Sequence, residues 1–527
     1  MNSPDDQLIS DAKSYFSNGD YKNAIRLCNN ILIKNPDNID ALNITAAILL
    51  FSKKFEYSIK IYDKLILLSK NNSIFYYNRA LAYMGLNNIK EAESNYKLAI
   101  KYDPESLPAL INLGNLYHQQ DMSEQAIKYY SKACLISSND EKIYTNMGLS
   151  YLTMKAYNKS LEQFKNALKI NPKYEEAIFG LGNCYDGTGD SLEAIKYFKE
   201  VIGLNPKHSR ALFNLSNCQL AIGDFYNGWI NYDSRFDQEI LKVSDLFSIS
   251  LPLWDHKKKI TNLLVIAEQG IGDQVLFYSL LRELLQFNLN VTVMTDTKMQ
   301  SLFHRSIKNI SFIERGKKIN EEKFDAHIPM CDLGKIFRNS YSDFQNFNGK
   351  YLIADETRAR LIQSKMQKSK IKCGVSWKSN NPYIGRDKSF QIEMLEPLLK
   401  NQDIQFVNLQ YGDVKNDIEI MKDKYHSDIL DTSDIDNYND IEGLVALISS
   451  CDIVVTADNS NAHLAGALGK ETYLILPKTN SLVWYWEHQI NEVSLWYSSV
   501  STFKQTKMDQ WDDPILRVNE IINKKYF

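Results

Sequence analysis

The chain has no apolar run long enough to cross a membrane, and its first ten residues, MNSPDDQLIS, are acidic and polar. That start excludes a secretory signal of the usual form. Cysteine is scarce and scattered: the seven, at 28, 134, 184, 218, 331, 373 and 451, are odd in number and contain no CxxC. A disulfide or zinc framework is thereby excluded, and reduced thiols in a cytoplasmic protein are expected. A formal charge of −3 gives no electrostatic case for a nucleic-acid partner, and the eight histidines are dispersed, with no metal-ligand cluster in view. What remains, at 527 residues, is a soluble intracellular protein too long for one core, of two to four domains.

Residues 1–236 repeat. Small residues recur every 34 positions, at Ala12, Ala46, Ala80, Gly114, Gly148, Gly182 and Ser216. A second small register runs Ala24, Ser58, Ala92, Ala126, Ser160, Ala194 and Gly228. A third, mostly aromatic, runs Cys28, Tyr62, Tyr96, Tyr130, Phe164, Phe198 and Tyr232. Prolines 36, 104, 172 and 206 share one more line. The pattern predicts units of two helices. Small residues sit where the helices cross, aromatics fill the groove to the next pair, and Asn-Pro stops the second helix.

These registers, with Leu113-Gly114-Asn115-Leu116-Tyr117, resemble the tetratricopeptide repeat family over about seven repeats. The resemblance implies an α-solenoid whose concave surface binds an extended protein segment. Asn112, Asn146, Asn183 and Asn217 are candidate backbone-gripping amides; in a chain rich in asparagine they read equally well as solvated surface.

The stretch 237–259 loses the period and reads as a linker or docking strap. Short β-branched runs then alternate with helical segments: LLVIA (263–267), NVTVMT (290–295), ISFIE (310–314) and DAHIPM (325–330). A charged helical crossing at 356–370 separates this set from a second, KCGVSW (372–377), IQFVNLQ (404–410), DIVVTA (452–457) and TYLILP (472–477). Two parallel α/β lobes are expected, 260–355 and 371–527, the latter closing in an amphipathic helix from Pro514 to Asn523. Two strand-to-helix corners stand out. One is Gly270-Ile271-Gly272-Asp273, leading into a helix with Val275, Leu276, Tyr278, Leu281 and Leu284 at amphipathic spacing; the other is Asp458-Asn459-Ser460-Asn461, before the small-residue helix Ala462 to Gly469. Corners of this kind can leave backbone N–H groups free to hold phosphate, and in facing lobes the ligand lies between strand ends. The short Gly-x-Gly lacks the third glycine and distal acid of a dinucleotide fingerprint, which argues against an oxidoreductase.

AEQGIGDQVLF (267–277), GVSWKSNNP (374–382), FVNLQYGD (406–413) and ADNSNAHLAGALGK (457–470) occur in that order, followed by SLWYSS (494–499) and TFKQ (502–505). The set resembles bacterial tetratricopeptide-repeat proteins with a heptosyltransferase-like glycosyltransferase domain of the two-lobed GT-B fold. More distantly it is similar to the O-linked N-acetylglucosamine transferases. The resemblance implies metal-independent transfer of a sugar from a nucleotide diphosphate sugar to a protein or glycan acceptor, with no further cofactor.

Such a reaction needs donors for the departing diphosphate and a base for the acceptor hydroxyl. Asp273 is the candidate base, or else a carboxylate that complements its helix dipole. Gly270 and Gly272 frame its corner, and the main chain of Asn461, Ala462 and His463, with Asn459 and Ser460, is expected to grip phosphate. The resemblance places a lysine at Lys378 as charge partner; Arg386 or Lys388 could close over the site, and Gln410, Tyr411 and Gly412 could frame the base. Asp458 would repel phosphate, so it shapes the loop or contacts a sugar hydroxyl. Asn459, Lys388 and Tyr485 stand where relatives commonly carry Thr, Arg and Arg. These departures keep a second reading open: a catalytically weak or inactive repeat scaffold with a relic sugar-nucleotide domain.

Overall fold

The computed structural model describes residues 4–237, 249–344, 349–381, 384–478 and 481–527. It divides into two compact units, Met1–Cys184 and Tyr185–Phe527. The break falls well before 236, where the repeat pattern ends, because the last helices pack into the α/β half.

In the first unit, paired helices such as Leu107–Gln119 with Ser123–Ile136, and Glu141–Thr153 with Tyr157–Ile170, follow the 34-residue period. The reason is visible at the glycines. A Cβ at Gly114 would lie 2.6 Å from the Tyr130 ring, and one at Gly148 2.8 Å from the Phe164 ring. Phe164 also presses on Gly180 of the next helix, so one ring fills the space between successive pairs. Serines of the second register donate to carbonyls of the first, Ser58 Oγ to Ala46 O at 2.9 Å and Ser160 Oγ to Gly148 O at 2.7 Å. Asn35 and Asn171 cap the ends of their helices, and their side chains accept the N–H two residues on. The turn inside each pair carries a left-handed residue at Gly19, Lys53, Asn87, Asp121 and Lys155. Asn112 and Asn146 are engaged within the stack: Asn112 Nδ2 donates to Tyr77 Oη at 3.1 Å, and Asn146 Nδ2 to Asn115 Oδ1 at 3.0 Å.

The second unit opens with helices Ser191–Leu204, Ser209–Ala221 and Phe225–Asn231. Its first lobe is a four-stranded parallel sheet of order β3-β2-β1-β4, from β1 (Asn262–Ile266), β2 (Asn290–Thr295), β3 (Ile310–Glu314) and β4 (Ala326–Pro329). The second lobe is an eight-stranded sheet of order β10-β11-β12-β9-β8-β5-β6-β7. Its parallel strands are β5 (Ile371–Ser376), β6 (Ile404–Asn408), β7 (Asp428–Leu430), β8 (Ile453–Ala457), β9 (Glu471–Leu476) and β12 (Val500–Lys504). The two-residue strands β10 (Gln489–Ile490) and β11 (Val493–Ser494) close the edge antiparallel. β7, β10 and β11 have too few residues to show alternation in the sequence, and β12 lies within an aromatic-rich stretch that hides its pattern. The C-terminal helix, Asp512–Tyr526, packs through Ile515, Val518 and Ile522 into the core of the second lobe.

Much of the stretch 237–259 lies outside the described residues. Its end is a strap along the edge of β4: Trp254 N–H donates to His327 O at 2.8 Å, and His327 N–H to Pro252 O at 2.9 Å. The lobes share one apolar core with the last helices. Trp229 stands edge-on to Trp484, ring centres 5.4 Å apart, and its indole N–H donates to Arg338 O at 2.6 Å. The helix after Gly270, Ile271–Tyr278, is buried from Gln274 onward on every face, where an amphipathic helix was expected. It is sandwiched, packing on the helix Ser460–Ala467 of the other lobe.

Candidate functional site

Both corners line a single cavity of about 680 Å³. Gln269, Gly270 and Ile271 come from the first lobe, with Asp296, Thr297 and Lys298; Ser379, Asn380, Asn381, Tyr411, Asn437, Tyr438, Ile441, Asn459 and Ser460 come from the second. Four helices begin at its wall, Ile271–Tyr278, Thr297–Ser306, Ile441–Ser450 and Ser460–Ala467. This follows from the topology, since in parallel sheets every strand delivers its helix start to the same edge. The lining is rich in amides and hydroxyls, which suits a ligand of many hydroxyl groups.

Two of the three N–H groups expected to be bare are occupied. Asn461 N–H donates to Asn459 Oδ1 at 2.9 Å, and Ala462 N–H to Asn459 O at 3.1 Å. Asn459 also ties the corner to β5, its Nδ2 donating to Ser376 Oγ and Lys378 O, each at 3.1 Å. Asn459 is therefore a helix cap and a clamp, and Ser460 is the residue of this corner whose side chain stays partly open on the cavity.

Asp273 follows the wall residues Gly270 and Ile271 but is not itself among the cavity-lining residues; it turns back on its own corner, Oδ2 accepting the Gly270 N–H at 3.2 Å. Burial pushes its carboxyl up to about 6; Lys388 and the Gly270 N–H pull it down, and Asp458 raises it further. A Cβ at Gly272 would lie 2.9 Å from His463 Cδ2, so the two corners touch through that pair. His463 is buried, its Nδ1 2.9 Å from Tyr497 Oη. Burial pushes its pKa down to about 4, so the ring is neutral near pH 7. Tyr485 stands edge-on to His463 at 5.2 Å, and its hydroxyl pKa is raised by burial and by Asp458 and Asp273.

Two of the expected cations, Lys378 and Lys388, are already paired. Lys378 Nζ donates to Asp417 Oδ2 at 2.6 Å and is not among the cavity-lining residues. Lys388 Nζ lies 2.7 Å from Asp458 Oδ2 in a buried pair, and Asp458 Oδ1 accepts the Trp486 indole N–H at 2.9 Å. Arg386 is exposed and lies off the cavity wall. Gln410 stitches strand ends, its Oε1 accepting Trp377 N–H at 2.9 Å and Lys378 N–H at 2.8 Å. Gln410, Tyr411 and Gly412 line a second, smaller cavity of about 350 Å³ that shares Tyr411 and Asn437 with the first.

Four features escape the sequence. Lys298 lines the cavity, and Asn437 holds an acceptor, Oδ1, with no partner while its Nδ2 donates to Asn408 O and Gln410 O. Asp434-Ile435-Asp436 is an Asp-x-Asp written in the sequence, and its place just past β7 corrects the expectation of none near a strand end in this half, a strand of three residues showing no alternation. Asp434 pairs with Lys365, and Asp436 accepts N–H groups of its own turn, so neither is arranged as a metal ligand. Fourth, Gln269 adopts a left-handed conformation, φ 62°, and its Nε2 donates to Tyr232 Oη at 2.8 Å. Among the described residues no group of three or more His, Cys, Asp or Glu could hold a metal ion.

Models of the tetratricopeptide repeat match residues 73–106, 107–140, 141–174 and 175–208. The N-terminal part of the chain thus carries tetratricopeptide repeats. Protein FlbA of Caulobacter vibrioides is 25% identical over 482 residues, covering 80% of this chain and 79% of that protein. That span exceeds the helical array, so the likeness includes much of the α/β half. Protein O-mannosyl-transferase TMTC3 of Homo sapiens is 29% identical over 92 residues, 17% of this chain and 10% of that one. Among solved structures, YrrB, described as a TPR protein with an unusual peptide-binding site, is 20% identical at a TM-score of 0.33, covering 35% of this chain and 95% of its own. No helix among the described residues is long and apolar enough to cross a membrane.

Proposed function

We propose that the α/β half is a GT-B glycosyltransferase that moves a sugar from a nucleotide diphosphate sugar to a protein or glycan acceptor recruited by the repeats. One observation carries the reading: the Gly270 and Ser460 corners, far apart in sequence, line the same cavity between the two lobes. In the reaction the acceptor oxygen bonds to the anomeric carbon, the bond from that carbon to the diphosphate breaks with its electron pair, and Asp273 takes the hydroxyl proton. A carboxyl pushed up to about 6 is a better base than an ordinary aspartate and is still ionised near pH 7. Amide side chains of the wall would hold sugar and ribose hydroxyls.

The pairing of Lys378 with Asp417 and of Lys388 with Asp458 favours a second reading, a repeat scaffold whose transfer site has lost its strength. Thermal melting with UDP, GDP, ADP and CDP separates the two. Saturation at a hundred times Kd adds about 2.7 kcal/mol of stability. A rise in Tm with one nucleotide, followed by donor turnover that Asp273→Asn lowers about 10²–10⁴-fold, supports the transferase; no shift with any of the four favours the scaffold.

A further inference from the structure

We propose that Lys298, on the first lobe, is the side chain that meets the diphosphate of the donor, in the part that sequence resemblance gives to Lys378. This rests on the glycosyltransferase reading and goes one step further, to the charge that holds the leaving group.

Among the described residues lining the cavity, Lys298 and Asp296 are the charged side chains. Asp296 is turned to its own lobe: Oδ2 accepts Gln274 Nε2 at 2.8 Å, and Oδ1 lies 4.0 Å from Arg315 Nη1. Lys298 reaches across to the other lobe. Its Nζ donates to Tyr438 O at 3.3 Å and lies 4.7 Å from the centre of the Tyr438 ring. Both partners are neutral and the hydrogen bond is long, so a diphosphate would be a stronger partner than either. Lys378 is in the opposite condition. Its ammonium already holds a carboxylate at 2.6 Å, and meeting a phosphate would mean breaking a charge-assisted bond and leaving Asp417, itself buried, uncompensated.

Beside Tyr438, the Asn437 amide is fixed by its two carbonyl acceptors, and its own buried oxygen lacks a donor. An unmatched acceptor in the wall of a cavity calls for a donor, such as a ribose hydroxyl, and not for the acceptor oxygens of the diphosphate itself. The chain therefore brings to one place a loosely held cation for the diphosphate and an orphaned acceptor for a donor group near it.

The test is calorimetric titration of the full chain with whichever of UDP, GDP, ADP or CDP binds, and with the matching nucleoside. The variants are Lys298→Gln, Lys298→Arg and Lys378→Gln. Lys298→Gln should weaken the diphosphate about tenfold or more, leave the nucleoside within twofold, and flatten the salt dependence of diphosphate binding; Lys298→Arg should restore most of the loss. Lys378→Gln should lose less than Lys298→Gln. The proposal is overturned if Lys298→Gln binds diphosphate like the parent, if it loses nucleoside and diphosphate equally, or if Lys378→Gln is the weaker binder. Failure of the parent to bind any of the four nucleotides would instead bring down the glycosyltransferase reading, and this with it.

Discussion

Arg235 grips Glu268 with two parallel hydrogen bonds, Nε to Oε2 at 3.0 Å and Nη2 to Oε1 at 2.7 Å, at a site closed to solvent. The same Nη2 donates to Asp332 Oδ1 at 2.7 Å, Nη1 donates to Tyr232 O, and the guanidinium lies over the Tyr232 and Phe236 rings. Glu268 directly precedes Gln269 and Gly270 of the cavity wall. The end of the helical array is thereby built into the first corner of the candidate site. Arg235→Met would leave Glu268 buried without its cation and Asp332 with Lys335 alone, at 3.3 Å, and a loss of about 3–5 kcal/mol is expected in chemical denaturation. The triple change Arg235→Met, Glu268→Gln, Asp332→Asn should recover part of it. A single variant as stable as the parent would remove the network from any account of how the corner is held.

Asp273 and His463 pull stability in opposite directions as pH falls. Asp273 sits at about 6 against an ordinary 3.8, so the folded state takes up a proton first and gains stability as pH drops through 6 toward 3.8. His463 sits at about 4 against an ordinary 6.5, so its contribution is complete above 6.5 and is lost as pH falls toward 4. In the parent the two nearly cancel. Asp273→Asn should fall steeply in Tm between pH 6 and 4, because the remaining histidine binds its proton more readily in the unfolded chain. His463→Gln should instead gain stability over that range. Parallel Tm curves for parent and both variants would show that neither group is perturbed as described.

Gly272 has no room for a methyl group, since its Cβ would lie 2.9 Å from a His463 ring already enclosed by Tyr485, Trp486 and Tyr497. Gly272→Ala should cost about 1–3 kcal/mol by overpacking. Gly272→Ala with His463→Ala should be less than additive, because the second change opens the space the first needs. Additive losses would mean the corners do not meet through this pair.

The repeat half was legible because its packing is local and periodic. Ala46 or Gly114 recurs wherever two helices cross, and Tyr130 or Phe164 follows 16 residues later to fill the groove. Most long strands were legible too, β2 and β3 to the residue, as runs of β-branched side chains between turn residues. The charges of the site were not. Lys378 follows its strand as a phosphate-binding lysine would, but its partner Asp417 comes from the helix Lys415–Glu419, brought there by folding alone. Arg235 is a lone arginine where the period ends, and Lys298 reads as an exposed charge in the first turn of a helix. Asn437 lies in the polar run DTSDIDNYND, which looks like plain loop. Pattern reports which face is buried; it does not report which charge is spoken for.

In the first unit, Lys53 and Lys155 occupy the left-handed turn position that Gly19 fills at no steric cost, with φ of 56° and 55° against 77°. Left-handed backbone costs a side-chain-bearing residue about 1–2 kcal/mol, part of which glycine returns to unfolded-state entropy. Lys53→Gly should therefore raise stability by about 0.5–1 kcal/mol, and adding Lys155→Gly should raise it again, since the two turns lie three repeats apart. Denaturant midpoints would check both. A fall in either would mean that the lysine side chain, rather than the turn, decides the position.

Activity offers the sharpest reading of Asp273. As the acceptor's base it must be ionised, so kcat/KM for sugar transfer should rise through about pH 6 and level off above it. Asp273→Asn keeps the shape but cannot take a proton, and its rate should fall about 10²–10⁴-fold, with the limb near pH 6 gone. Binding of the nucleotide diphosphate should be unharmed or stronger, because a negative charge beside the cleft has been removed. If the carboxylate only caps its helix through the Gly270 N–H, the amide oxygen of asparagine can accept that bond instead. The rate would then drop only a few fold and the pH profile would keep its limb, which would move the base elsewhere in the cleft.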